Sequence, residues 1–182
     1  MQTFASQSRM TVYTIGHSTH QLDEFVKLLR AYNIERLVDV RSIPRSRHNP
    51  QFNQDTLGKH LRNRHIGYRH LKELGGLRRA HADSPNSGWH NASFRGFADY
   101  MQTPEFAAAL TRLVELAGEK RTVIMCAEAV PWRCHRSLIG DALTVRGIDV
   151  LDIYSRTNAK AHVLSPMANV QGIQITYPAP AN

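Results

Sequence analysis

Residues 122 to 143 read TVIMCAEAVPWRCHRSLIGDAL, an apolar segment joined to an amphipathic one by a short polar connection. Thr122 to Ala127 shows no polar alternation, which predicts a strand covered on both faces of a parallel sheet. From His135 to Arg146 apolar residues recur at helical spacing, and Gly147 is a typical helix stop. The stretch therefore predicts one strand-to-helix unit of an α/β fold.

The same alternation extends along the rest of the chain. Helices are predicted for residues 21–32, 54–64, 93–101 and 104–117, and strands for residues 10–15, 36–40, 67–70 and 149–154. This order predicts a single α/β domain over residues 10–182, with a mostly parallel sheet and helices on both faces. Residues 1–9 are expected to form a flexible tail. Residues 74–91 read as a long loop, either a lid or a disordered segment.

Cysteine content and hydropathy indicate the cellular compartment in which the protein is expected. Two cysteines are too few for a disulfide framework, and the N-terminus lacks the pattern of a signal peptide, so we expect a cytoplasmic protein with free thiols. No apolar run approaches the roughly 20 residues of a membrane helix, so no membrane partner is expected.

Positive charge is concentrated in one part of the sequence. The net charge is +8, and residues 41–81 carry ten Lys or Arg against two acids. This basic block favours an anionic partner, either a phosphate-bearing small molecule or nucleic acid. The alternative is a solvated basic surface.

Polar residues follow three of the predicted strands. His17 and Ser18 come after the first strand, Arg41 after the second, and Cys126 and Glu128 at or after the later one. Parallel α/β sheets bind ligands beyond the carboxyl ends of their strands. We therefore expect these residues to converge on one site.

An anion is one expected ligand of this site. Arg136 and His135 open a predicted helix whose dipole disfavours cations, and a bound anion would explain their presence. Arg41 offers a planar donor fork, with Arg45 and Ser18 as further binding residues. The alternative is that Arg41 forms a structural pair with an acid such as Asp39, Glu73 or Glu128.

Thiol chemistry is a second possibility at the same edge. Cys134, beside a helix start and two basic residues, would favour the thiolate, and Cys126 ends a buried strand where a nucleophile could stand. Both could equally be packing residues. His17 is the candidate general acid or base, or else a loop-capping residue, and Glu128 could orient it. The spacing does not suggest a metal site, and no cofactor is predicted.

Several motifs together resemble one family, the domain of unknown function 488. They are TIGHS at 14–18, LVDVRSIPRSR at 37–47, NPQFN at 49–53, YRHLKELGG at 68–76, MCAE at 125–128 and CHRSLIGDAL at 134–143. The resemblance implies a cytoplasmic α/β protein and brings no established activity, although some members are labelled as DNA-repair proteins. A more distant likeness to rhodanese and cysteine-phosphatase domains would make Cys126 the nucleophile by position.

Three functions follow as hypotheses. The first is an enzyme or binding protein for a phosphate-bearing substrate, with Arg41, Arg45 and Arg136 holding the anion and His17 moving a proton. The second is a cysteine-dependent enzyme, such as a sulfur transferase, that uses Cys126 or Cys134. The third is a nucleic-acid-binding module without catalysis.

Overall fold

Strands and helices alternate in the computed structural model, which describes residues 9–180. The helices are α1 (Leu22–Ala31), α2 (Gln54–Arg62), α3 (Ala92–Tyr100), α4 (Pro104–Glu119) and α5 (Arg136–Thr144). The strands are β1 (Thr11–Gly16), β2 (Arg36–Asp39), β3 (Gly67–His70), β4 (Thr122–Cys126), β5 (Asp149–Ile153), β6 (Ala159–Ala161), β7 (Asn169–Gln171) and β8 (Gln174–Thr176). Short 3-10 turns form at Pro50–Phe52, Lys72–Leu74 and Pro131–Arg133.

Six strands form one sheet in the order β3-β2-β4-β1-β5-β6. The pairs among β1 to β5 are parallel, and only β6 runs antiparallel, against β5. Strand β4 lies in the interior of this sheet and every one of its residues is buried, as its unbroken apolar sequence predicts. The prediction of a single α/β domain with a mostly parallel sheet is confirmed.

Helices cover both faces of the sheet, because side chains of successive strand residues point to opposite sides. Val123 and Met125 of β4 pack with residues of α1 and α2, whereas Ile124 and Cys126 pack with residues of α3, α4 and α5. The polar connections that follow the strands therefore meet at one edge, between the two helical layers.

The C-terminal segment differs from the sequence prediction, which ended regular structure near residue 154. Strand β6 extends the main sheet and β7 pairs with β8 in a separate hairpin. These strands have three residues each, too few for alternation to be visible. Tyr177, which follows the hairpin, is fully buried and its hydroxyl donates to Asp141 Oδ2 at 2.8 Å.

Residues 75–91 do form a long loop, and the buried carboxylate of Asp99 holds part of it. That carboxylate accepts hydrogen bonds from the backbone N–H of His81, the hydroxyl of Ser84 and the amide of Asn86. Burial alone would raise the pKa of Asp99, but these hydrogen bonds together lower it.

Two further sequence expectations concern the N-terminal tail and membrane-spanning helices. The tail predicted for residues 1–9 lies, except for Arg9, outside the described residues. None of the helices within residues 9–180 is long and apolar enough to cross a membrane.

Candidate functional site

The three polar connections lie side by side at the carboxyl end of the sheet. Gly16 is in register with Cys126, and the backbone N–H of His17 donates to the carbonyl of Cys126 at 2.9 Å. On the other side of β4, the N–H of Val40 donates to the carbonyl of Met125 at 3.0 Å. Parallel pairing on both sides of one strand thus brings residues 17, 40 and 126 together.

An open cleft of about 470 Å³ lies at this edge, and we refer to it as the thiol cleft. Ser18 and Arg136 are the two predicted site residues that do not line it. Sequence reasoning missed Ser42, Asn91 and Arg133, which do. The predicted residues that line the cleft are His17, Arg41, Arg45, Cys126, Glu128, Cys134 and His135.

The sulfur atoms of Cys126 and Cys134 are in contact in this cleft, so the two residues form a pair that can close to a disulfide. The sequence predicted two free thiols, and the structure brings the two sulfur atoms together. Cys126 ends β4, and the turn Pro131–Arg133 carries the chain back so that Cys134 faces it. The two residues are 2% and 5% exposed, so only a molecule that enters the cleft can reach the sulfur atoms.

Arg136 lies behind the sulfur pair and is 1% exposed. Its Nη1 donates to Cys126 Sγ at 2.7 Å and to the carbonyl of Glu128 at 2.6 Å, and its Nη2 donates to the carbonyl of Ala129 at 3.2 Å. Burial lowers the pKa of Arg136 to about 10, which leaves the group charged at neutral pH. The guanidinium is therefore a fixed positive charge in contact with Cys126.

Gly16 permits this arrangement by its lack of a side chain. A Cβ atom at this position would lie 1.7 Å from the carbonyl oxygen of Glu128 and 2.9 Å from Arg136 Nη1. The close approach of β1 to the loop after β4 is thus available only to glycine.

Arg41 is engaged in the pair that the sequence offered as the alternative to anion binding. Its guanidinium is held by Asp39, with Nη2 at 2.6 Å from Oδ2 and Nε at 2.9 Å from Oδ1. The same Nη2 donates to the carbonyl of Phe52 at 2.7 Å, and Tyr68 donates its hydroxyl to Asp39. These contacts anchor the loop after β2.

His17 is buried against the thiol cleft as a neutral imidazole. Burial lowers its pKa to about 4. Its Nδ1 donates to the carbonyl of Ser18 at 2.9 Å, so Nε2 carries the lone pair and faces Arg41 Nη1 at 3.3 Å. The ring stacks on Phe52 with centroids 4.3 Å apart. Both nitrogen atoms already have partners, as the loop-capping alternative implied.

His135 contacts Cys134 directly. Its Nε2 donates to the carbonyl of Val40 at 3.0 Å, which leaves Nδ1 as an acceptor 3.5 Å from Cys134 Sγ. Burial lowers the pKa of His135 to about 4, so the ring is neutral at physiological pH. The S–H group of a reduced Cys134 can donate a hydrogen bond to this nitrogen atom.

Glu128 and Ser18 contribute backbone groups in this structure. The carbonyl of Glu128, and not its exposed carboxylate, accepts from Arg136. The N–H of Ser18 donates to the carbonyl of Ala127 at 2.9 Å, with Ser18 at a φ of 46°.

Two exposed arginines, Arg45 and Arg133, line the thiol cleft from different loops. Neither has an ion-pair partner within 4.0 Å among residues 9–180. Arg133 could have been noticed in the sequence, because it stands next to Cys134 in a segment that Pro131 forces to turn. These side chains are the cations of the site that are free to meet an anionic molecule.

Within the described part of the chain, no three or more His, Cys, Asp or Glu side chains cluster as metal ligands would. In this structure the site offers sulfur, imidazole and guanidinium groups as its chemistry.

Comparison with known proteins gives one match. The family model described as "Domain of unknown function DUF488" matches residues 21–143, which include α1 to β4 and nearly all of α5. No curated protein matches the chain, and no solved structure does.

Proposed function

The chain belongs to the DUF488 family, and we propose that it is a thiol enzyme in which Cys126 and Cys134 exchange a disulfide with an anionic substrate. One observation supports this above all. Two cysteines that can form a disulfide lie at the floor of a cleft, with a buried guanidinium 2.7 Å from one of the sulfur atoms.

The guanidinium of Arg136 favours the thiolate of reduced Cys126, because it offers that sulfur a charge-assisted hydrogen bond in a site shielded from water. Thiolate is the form of cysteine that attacks disulfides and other electrophiles. Cys126 is therefore the reacting thiol in this proposal.

Cys134 acts as the resolving thiol. The Cys126 thiolate attacks one sulfur of a substrate disulfide, forms a mixed disulfide and expels the first substrate thiolate. Cys134 loses its proton to solvent and attacks Cys126 Sγ, which expels the second substrate thiolate and closes the Cys126–Cys134 disulfide. The dithiol loses two electrons and the substrate disulfide gains them. A dithiol reductant then restores the enzyme.

A neighbouring thiol favours disulfide exchange over sulfur transfer. If Cys126 carried a persulfide, Cys134 would attack its inner sulfur and release hydrosulfide before an acceptor could enter. A sulfur transferase works best without such a neighbour, so the pair of cysteines favours exchange.

Substrate charge would be recognised by Arg45 and Arg133. Both are free of acidic partners in the described residues, whereas Arg41 and Arg136 are held by internal contacts. Guanidinium groups bind carboxylates and phosphates well, so the substrate is expected to carry one of these groups near its disulfide.

Reaction of the reduced protein with two aromatic disulfides tests the proposal. Dithionitrobenzoate is anionic and dithiodipyridine is neutral, and both release coloured thiols. The wild type is expected to release both thiols of dithionitrobenzoate and to end as the Cys126–Cys134 disulfide by peptide mass spectrometry. Cys134→Ser should stop at a mixed disulfide on Cys126, and Cys126→Ser should react slowly. Changing Arg45 and Arg133 to Ala should slow the reaction with dithionitrobenzoate and leave the reaction with dithiodipyridine unchanged.

The urea-unfolded protein gives the reference rate at which thiols react when no folded site surrounds them. If native Cys126 reacts with neither reagent faster than it does in the unfolded chain, the site does not activate the thiol and the proposal fails. If Cys134→Ser also releases both thiols of the reagent, Cys134 is not the resolving residue.

A binding site for a phosphate-bearing molecule is the second candidate, favoured by the two free arginines and by Ser42 and Asn91 in the same cleft. A ligand that binds only the native state raises the melting temperature. Phosphate, sulfate and nucleotides are expected to stabilise the wild type and Cys126→Ser equally, and Arg45→Ala and Arg133→Ala less. Arg112→Ala, on helix α4, is the matched control. Equal shifts in all variants would exclude this candidate.

A further inference from the structure

A second cleft, of about 480 Å³, opens beside the turn Pro131–Arg133, and we propose that it binds a planar aromatic ligand that carries an anionic group. Trp89, Trp132, Tyr154 and Lys160 line it, and we refer to it as the aromatic cleft. It shares no lining residue with the thiol cleft. The turn separates the two, since Trp132 lines the aromatic cleft and Arg133 lines the thiol cleft.

The aromatic walls are the first reason for this ligand class. Trp132 is 64% exposed, and its ring centroid is 6.4 Å from that of Tyr154, with 34° between the planes. The apolar face of this indole is exposed to water, and a ligand that covers it would remove that face from solvent. A planar ring is the group that an indole face binds best. Val163, 82% exposed, adds apolar surface to the same cleft.

The acidic residues of this cleft are already occupied. His162 lies between Asp141 and Asp152, with Nε2 at 2.8 Å from Asp141 Oδ1 and Nδ1 at 3.3 Å from Asp152 Oδ2. The remaining carboxylate oxygens accept from Tyr177 and Thr14. His162 is therefore the cation of this cluster, and no carboxylate is free to bind a cationic ligand.

Lys160 is the charged group that remains for a ligand. Its side chain is exposed, its Nζ lies 5.7 Å from the centre of the Tyr154 ring, and it forms no ion pair within residues 9–180. An anionic substituent on a ring stacked against Trp132 would meet this ammonium group. A nucleotide has this combination of a planar base and a phosphate.

Intrinsic fluorescence can report on this cleft specifically, because the two tryptophans of the chain, Trp89 and Trp132, both line it. AMP and naphthalenesulfonate serve as anionic aromatic probes. Adenosine and inorganic phosphate are the controls that represent the two parts of AMP separately. Quenching is read by excitation at the red edge of tryptophan absorption, and calorimetry gives the dissociation constant for every variant.

At least one anionic aromatic probe is expected to bind and to quench the fluorescence. Trp132→Leu should weaken binding roughly tenfold or more, since base stacking on an aromatic side chain contributes that much, and Trp132→Phe should restore most of it. Lys160→Ala should weaken the binding of AMP several-fold and leave the binding of adenosine unchanged. Ile43→Ala, which alters the thiol cleft, should have no effect.

Three results would overturn the inference. The first is that neither probe binds at millimolar concentration. The second is that the Trp132→Leu variant binds the probes as tightly as the wild type. The third is that Ile43→Ala weakens binding as much as Trp132→Leu does. Thiol reactivity plays no part in these measurements, so they stand independently of the proposed disulfide exchange.

Discussion

Gly16 is the residue on which the geometry around Cys126 depends most directly. Because its Cβ would fall 1.7 Å from the Glu128 carbonyl, any side chain must push β1 away from the loop that holds Arg136. We expect Gly16→Ala to lower the free energy of unfolding by about 3 kcal/mol, as overpacking of a rigid site does, measured by urea denaturation.

Gly118→Ala is the matched control for this substitution. Gly118 lies in helix α4, where the nearest contact of an added Cβ would be the flexible end of Met10 at 3.5 Å. Alanine is the better helix former, so this variant should be unchanged or up to about 1 kcal/mol more stable. Similar effects of the two substitutions would show that the close approach at Gly16 is unimportant.

The side chain of Arg136 should govern the reactivity of Cys126. Lysine keeps the charge, but its compact ammonium group lacks the planar fork that reaches one sulfur atom and two carbonyls together. We expect Arg136→Lys to slow alkylation of reduced Cys126 at neutral pH by about tenfold, because less of the thiol is ionised. Peptide mass spectrometry after timed iodoacetamide treatment measures this rate. An unchanged rate would contradict a role for the guanidinium.

Individual residues of the site were predictable mainly where a strand end or a helix start places them, as Cys134 and His135 at the start of α5 show. His17, Arg41 and Cys126 follow apolar runs whose ends are visible in the sequence, and the parallel sheet brings them together. The pairing of Arg41 with Asp39 was among the alternatives, but the side-chain partners of His17 and Cys126 were not predictable, because irregular loops bring them into contact. Arg136, ten positions after Cys126, contacts it because of the path of the irregular loop after β4 and the close approach of Gly16.

At the scale of elements, a buried charge cluster joins helix α5, strand β5 and the C-terminal segment. His162 follows β6 and binds Asp141 of α5 and Asp152 of β5. Although burial opposes it, hydrogen bonding to the two carboxylates raises the pKa of His162 to about 9. Protonated His162 therefore holds together elements that are distant in sequence.

This cluster predicts a stability that falls at alkaline pH. A group whose pKa rises on folding stabilises fully below its unfolded pKa, here 6.5, and the effect disappears as pH passes the folded value of about 9. The contribution is at most about 3.5 kcal/mol, given about 1.4 kcal/mol per pKa unit. Urea denaturation of the oxidised protein at a series of pH values should show this loss in the wild type and much less of it in His162→Gln. Parallel curves for the two proteins would refute it.

Helices and strands of at least four residues were predictable from periodicity and turn signals. Helix α4 has Thr103 as its cap and Pro104 in its first turn, and the Thr103 hydroxyl accepts from Phe106 N at 3.2 Å. The three-residue strands β6, β7 and β8 were missed, because pairing with a partner strand defines them and their own sequence does not.

Over the whole molecule, the basic block lies at one end of the sheet. It includes helix α2, edge strand β3 and the loop after β3. Within residues 9–180, Arg41 and Arg64 are ion-paired, and the other eight basic residues of the block have no such partner. The net charge of +8 thus corresponds to a surface that could contact the backbone of a nucleic acid.

If this surface binds DNA, affinity must fall steeply with salt, because each neutralised phosphate releases a counterion. Engagement of about five phosphates of a duplex predicts a slope of about −4 or steeper for log K against log salt concentration, measured by fluorescence anisotropy. Changing Lys59 and Arg62 of α2 to Glu should weaken binding and flatten the slope. Arg112→Glu, on helix α4 across the sheet, changes charge by the same amount per residue and should have much less effect. A flat salt response, or equal losses from both faces, would mean that the basic block is a solvated surface.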